Sequence, residues 1–136
     1  MYSHETKIRV RYGETDQMGY MYYGNYAEYY EVGRVEMLRS LGMTYRSMEE
    51  SGIMMPVLDM KCKYIKPARY DEEITVKVIL PKKPGIRIHF QYELSNEQQE
   101  LIHIGETTLV FVNMETKKPC SPPEDFMERL IEYFKD

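Results

Sequence analysis

Tryptophan is absent from this chain, cysteine occurs twice and histidine three times in 136 residues. Each shortage closes off a chemistry. Cys62 and Cys120 stand far apart and form no CxxC pair, so they read as free thiols packed as small hydrophobes in a reducing cytoplasm. His4, His89 and His103 have no metal-ligand spacing and no HExxH occurs, so no metal is expected. There is no GxSxG, hence no nucleophile elbow. Neither a P-loop nor a dinucleotide glycine pattern occurs, and no cofactor is implied. No apolar run follows Met1, so no secretory signal is read, and no segment approaches the roughly 18 apolar residues of a membrane span. Positive charge is also short. Eighteen Lys and Arg face 22 Asp and Glu, a formal net charge of -4. That argues against a nucleic-acid partner, because phosphate neutralisation needs a basic surface. A local basic patch for a phosphorylated small molecule stays open.

What is present is apolar and rich in tyrosine. Hydrophobic residues make up 43% of the chain, enough for a sizeable core, and the length fits one domain spanning residues 1–136. Thirteen tyrosines suit an apolar interior that meets polar groups, as in a cleft or a subunit interface.

The segment Lys7 to Tyr12 alternates, with Ile8 and Val10 opposite Lys7, Arg9 and Arg11, which predicts a first strand. Gly13 to Gly24 reads as a loop. Asn25 fits an N-cap, with Glu28 three residues on as in a capping box. Tyr26, Tyr29, Tyr30, Gly33, Met37 and Leu41 then recur at helical spacing, while Glu28, Glu31, Arg34, Glu36 and Arg39 fill the other side. This predicts a long helix from about Asn25 to Leu41, stopped by Gly42. Thr44 to Ser51 reads as a shorter helix or turn. Alternation then predicts strands around Leu58–Ile65, Ile74–Leu80 and Ile86–Leu94, and a longer one over Leu101–Asn113 in which Gly105 marks a place where another backbone can approach. Pro122 and Pro123 open a terminal helix carrying Phe126, Leu130, Ile131 and Phe134. One long helix ahead of an antiparallel meander is most simply buried against one sheet face, an α+β domain.

Between the first strand and the long helix lies Tyr12-Gly13-Glu14-Thr15-Asp16-Gln17-Met18-Gly19-Tyr20-Met21-Tyr22-Tyr23-Gly24-Asn25-Tyr26. A loop feeding a helix N-terminus faces unpaired N–H groups and the positive end of the helix dipole. A carboxylate there, such as Asp16, can be a reaction centre. Thr-Asp ahead of a glycine is equally ordinary turn chemistry.

The order of elements and four motifs together resemble the hotdog-fold thioesterases of the 4-hydroxybenzoyl-CoA thioesterase type, most closely the small acyl-CoA thioesterases associated with the Tol–Pal group. Val10 to Gly19 looks like the first strand and Asp-x-x-Gly loop of that family, and Tyr22 to Tyr26 looks like its helix entry. Met55-Pro56-Val57 and Tyr64 to Glu72 resemble its next strand and turn, and Ile104-Gly105-Glu106-Thr107 resembles a late strand. The likeness spans about Lys7 to Asn113. It implies a five-stranded antiparallel sheet wrapped around the long helix. It also implies a homodimer or homotetramer that joins sheets, with active sites at the subunit interface.

For chemistry, the resemblance implies hydrolysis of an acyl-CoA to the free acid and CoA. Asp16 matches the catalytic aspartate, as general base or nucleophile, and Tyr23 sits where a backbone N–H serves the oxyanion. Gly19 would admit the ligand beside the backbone, or serve only as a turn glycine. Asn25 is read first as a cap and only second as a substrate contact. Lys82 and Lys83 fall where the family sets basic residues against CoA phosphates, although a solvated hairpin turn accounts for them as well. Lys63, Lys66 and Arg69 are further candidates. Relatives in the Tol–Pal branch often carry His at the Tyr23 position, so a histidine-assisted route is not carried over. Another relative type uses a helix glutamate; Glu28 and Glu31 read instead as solvated or capping. The alternative function is a non-catalytic binder of acyl thioesters or acyl-carrier protein. A hotdog dehydratase would need a His across the cleft, and none is evident.

Overall fold

In the computed structural model, which describes residues 1–135, the chain opens with β1 (Tyr2–Arg9) and passes through 3-10 turns at Tyr12–Glu14 and Tyr23–Asn25. Then come α1 (Tyr26–Ser40), α2 (Tyr45–Glu50), β2 (Ile53–Met54), β3 (Val57–Tyr64), β4 (Glu73–Leu80), β5 (Arg87–Ser95), β6 (Leu101–Val110), β7 (Val112–Asn113) and α3 (Glu124–Leu130). Five strands form one antiparallel sheet in the order β1-β4-β5-β6-β3, and β2 pairs with β7 apart from it.

The core lies between this sheet and α1. Period-2 alternation turns Ile74, Val76, Val78 and Leu80 of β4 and Ile88, Phe90, Tyr92 and Leu94 of β5 to one face, where all are buried. Against them α1 sets Tyr26, Tyr29, Tyr30 and Met37. Burying side chains of this size stabilises the fold by about 1.5–3 kcal/mol each. At Gly105 the contact is closest: an added Cβ would fall 1.9 Å from the Tyr30 hydroxyl. The glycine therefore admits a tyrosine side chain, not a neighbouring backbone as the sequence suggested.

Several expected boundaries move, each for a tertiary reason. β1 starts at Tyr2 rather than Lys7, because all eight of its residues pair with β4 from Leu80 to Glu73. Its half-covered inner face carries the polar His4 and Thr6, which mask the alternation. Beyond Arg9, Val10 bonds instead to the loop at Asp71 and Glu72. The strand expected to reach Asn113 breaks at Phe111, whose N–H bonds to Ile86 (2.9 Å), and β7 turns away to β2. Arg34, expected on the outer face of the helix, is buried. It donates to the Tyr92 hydroxyl at 2.9 Å and the Tyr45 hydroxyl at 3.1 Å. Tyr92 in turn shares a 2.6 Å hydrogen bond with Thr107, so the guanidinium is partnered through phenols rather than a carboxylate.

Candidate active site

The loop ahead of α1 is held by its own backbone. Glu14, two residues before Asp16, folds back into the protein and is buried. Its carboxylate accepts from the Arg11 N–H (2.8 Å), the Arg11 guanidinium (3.3 Å) and the Tyr29 hydroxyl (2.9 Å). Burial, with that carboxylate beside it, pushes the Tyr29 phenol up, so it stays a donor. The Glu14 carbonyl accepts from the Tyr22 N–H (2.8 Å) and the Asn25 side-chain amide (2.9 Å), which ties the loop to the helix start. Asn25 is thus not the expected cap. Its backbone is already helical, it makes no side-chain cap bond, and Glu28 is exposed.

Between these anchors residues 15–21 form a small hairpin. Thr15 bridges Met21, and the Asp16 N–H bonds to the Tyr20 carbonyl at 2.9 Å. The turn closes with the Gly19 N–H on the Asp16 carbonyl (3.0 Å), and Gly19 has φ 80°, a left-handed conformation that favours glycine. Here its role is to make the turn. One Asp16 oxygen, Oδ1, accepts from the Met18 N–H at 2.9 Å, the ordinary side-chain turn bond of an aspartate ahead of a glycine. Oδ2 has no hydrogen-bond partner among the described residues. The hairpin is docked by Met21 N–H on the Ala68 carbonyl (2.7 Å) and by a Tyr20–Arg69 bridge, with the Arg69 guanidinium 5.0 Å from the centre of the Tyr20 ring.

Asp16 lies in an open cleft of about 320 Å³ with Tyr20, Tyr23, Tyr26, Tyr64 and Lys66 in its walls. A larger groove, about 480 Å³, sits on the outer sheet face among Lys61, Lys63, Glu93 and Glu106, away from the loop. At the foot of the helix, Tyr22 and Asn25 have used their N–H groups on Glu14 and Tyr22 carbonyls. The N–H groups of Tyr23 and Gly24 have no partner among the described residues. Behind the cleft, His103 is wholly buried. Tyr26 stacks on it (4.2 Å, 12°), Tyr64 meets it edge-on (5.0 Å), and its Nε2 hydrogen-bonds the Tyr30 hydroxyl. Burial pulls the imidazole down to about 4, so it is neutral at pH 7, and Nδ1 has no partner among the described residues.

Of the residues singled out in the sequence, Asp16 and Tyr23 line one cleft, Gly19 shapes its turn, and the Asn25 side chain is spent on Glu14. Lys82 and Lys83 are not brought to it. They lie in the β4–β5 turn, at the opposite end of a strand pair eight residues long, roughly 25 Å away at about 3.3 Å per residue. Lys66 is at the cleft, but its ammonium is paired with Glu100. Glu31 is exposed like Glu28. The sequence reading missed Tyr64 and His103. They are brought to the helix entry only by the pairing of β3 with β6, in which they stand opposite each other.

A long helix wrapped by an antiparallel sheet, with a carboxylate hairpin at the helix N-terminus, is the hotdog class of fold. The chain belongs to the thioesterase-like superfamily, whose family model matches residues 10–130. It is 35% identical over 119 residues to YneP of Bacillus subtilis strain 168, provisionally named an acyl-CoA thioesterase, covering 88% of this chain and 86% of that protein. It is 27% identical to the acyl-CoA thioester hydrolase YbgC of Escherichia coli O157:H7, over 88% of this chain and 90% of the relative. A DHNA-CoA thioesterase from Staphylococcus aureus is similar in structure, with TM-score 0.92 and 37% identity, covering 98% of this chain and 91% of that one.

Proposed function

We propose that this chain is a thioester hydrolase that cleaves an acyl-CoA to the free acid and CoA. The carrying observation is the free Oδ2 of Asp16 in a cleft that also holds Tyr23, beside two unpartnered N–H groups at the start of α1. Such donors hold the charge that develops on a thioester carbonyl oxygen. As general base, Asp16 takes a proton from water while the water oxygen adds to the carbonyl carbon. The tetrahedral adduct then collapses, the C–S bond breaks, and the thiolate leaves and is protonated. As nucleophile, Asp16 adds directly, expels the thiolate and forms a mixed anhydride that water hydrolyses. Relatives named as acyl-CoA thioester hydrolases favour either route over simple binding.

The working unit is a homodimer or a homotetramer built from it. β3 is a free sheet edge, and Met60 and Tyr64 on its inner side are about half exposed. An open edge of eight residues with an apolar inner side suits a second copy. Antiparallel pairing of two β3 edges would set the Val57 end of one strand beside the Tyr64 end of the other. The Lys82–Lys83 turn lies at that Val57 end, so a second copy would bring its own pair to the Asp16 end, where CoA phosphates need cations. Among the described residues no helix is long and apolar enough to cross a membrane. Both cysteines are free thiols, which supports a cytoplasmic setting.

Thiol release from a panel of acyl-CoAs, with Asp16→Asn beside the wild type, tests the reading. Hydrolysis lost in a folded variant of unchanged oligomeric state is expected. Near-wild-type turnover by Asp16→Asn would sink it, and binding without thiol release by the wild type would leave an acyl-thioester or acyl-carrier-protein binder.

A further inference from the structure

The Tyr64 hydroxyl reaches across from β3 and donates to the Tyr23 carbonyl at 3.3 Å. That carbonyl belongs to the same peptide unit as the Gly24 N–H, one of the two unpartnered donors at the start of α1. A hydrogen bond accepted at a peptide oxygen polarises the N–H at the other end of the same amide, because the two share one conjugated system. The phenol is well held for this. Its ring meets Tyr26 edge-on at 5.2 Å and His103 at 5.0 Å. Burial and the neighbouring Cys62 thiol push it up to about 12, so it keeps its proton across the neutral range.

We propose that the Gly24 N–H is a second oxyanion donor beside that of Tyr23, and that Tyr64 is its positioning residue, acting through the Tyr23–Gly24 peptide. The proposal rests on the thioester-hydrolase reading for its catalytic part. It makes the site depend on β3, the strand at the open sheet edge, as well as on the helix start. It also separates the two free donors: Tyr64 touches the Gly24 amide unit and leaves the Tyr22–Tyr23 amide alone.

Tyr64→Phe keeps the ring and removes only the hydroxyl. In the whole protein it should lower kcat for acyl-CoA about 3- to 10-fold, with KM within about twofold, since the interaction strengthens as charge develops on the carbonyl oxygen. In the amide NMR spectrum without substrate, the Gly24 resonance should move and the Tyr23 resonance should hold its place. A merely structural role would shift both amides, or lower the melting temperature without a kcat effect. An unmoved Gly24 amide, or an unchanged kcat in an active enzyme, overturns the proposal. If Asp16→Asn proves fully active, or the wild type releases no thiol, the hydrolase reading fails by itself. The Gly24 resonance still decides whether Tyr64 acts on that peptide.

Discussion

Glu14 and Asp16 are two positions apart, yet the stretches they head are built in opposite ways. At Glu14 the polar groups point inward: its carboxylate holds three donors and its carbonyl two more. From Asp16 to Gly24 the backbone closes its own hairpin, but among the described residues Oδ2 of Asp16 and the N–H groups of Tyr23 and Gly24 face no partner. A loop satisfied on one side can leave groups unsatisfied on the other, since the desolvation cost of free donors is small where solvent reaches them. A carboxylate thus anchors at one position and is available for chemistry two positions later.

The sharpest way to break this contrast is to neutralise each carboxylate. Asp16→Asn should cost about a thousandfold in kcat, or ~4 kcal/mol of barrier, and leave the urea midpoint close to wild type. An equal loss of stability would show that Asp16 is only a turn residue. The next largest effect concerns the wall behind the open half. His103 ionises at about 4 in the folded chain against about 6.5 when unfolded. Below pH 6.5 the unfolded chain takes a proton that the native one refuses, so this contribution is complete above 6.5 and falls toward pH 4. The total is about 3 kcal/mol. Urea unfolding of wild type and His103→Asn between pH 7 and 4.5 checks it: the wild type should lose stability more steeply, and parallel slopes would refute the assignment.

Glu14→Gln should behave inversely to Asp16→Asn. Losing the charge that holds Arg11 and Tyr29 should cost about 2 kcal/mol of stability, read from the urea midpoint. Any fall in kcat should follow the loosened loop. Tyr29→Phe should cost about 1 kcal/mol by the same measurement. If Glu14→Gln abolishes turnover in a fully stable protein, the anchoring role is wrong.

The contrast was only half legible in the sequence. Helical spacing gave α1 to within a residue at each end, alternation gave β4 and β5, and the Asp-x-x-Gly loop placed Asp16 ahead of the helix. The superfamily followed from those motifs; its Tol–Pal branch is not carried by the relatives. Sequence could not separate Glu14 from Asp16, because the burial of Glu14 depends on Tyr29 lying one helical turn into α1, while Asp16 stays only half-buried. Arg34 was misplaced because its partners, Tyr45 and Tyr92, come from α2 and β5. Tyr64 and His103 were missed because only strand register brings them to the helix entry.

Asn25 joins the two halves and gives the smallest, most discriminating test. As an N-cap it would accept a helix N–H through its side-chain oxygen, and aspartate would serve as well or better. In the structure it donates through its amide nitrogen to the Glu14 carbonyl. Aspartate cannot donate and would set a negative charge against that oxygen. The two roles therefore give Asn25→Asp opposite signs. A capping role predicts no loss, or a gain of a few tenths of a kcal/mol. The tether predicts a loss of about 1 kcal/mol at pH 7, measured by urea unfolding and reduced when the new carboxylate is protonated near pH 4. Glu28→Ala should leave stability within about 0.5 kcal/mol, because no capping box depends on it. A stabilised Asn25→Asp would return Asn25 to the helix and leave the Tyr22 N–H as the contact that ties the Glu14 carbonyl to the helix start.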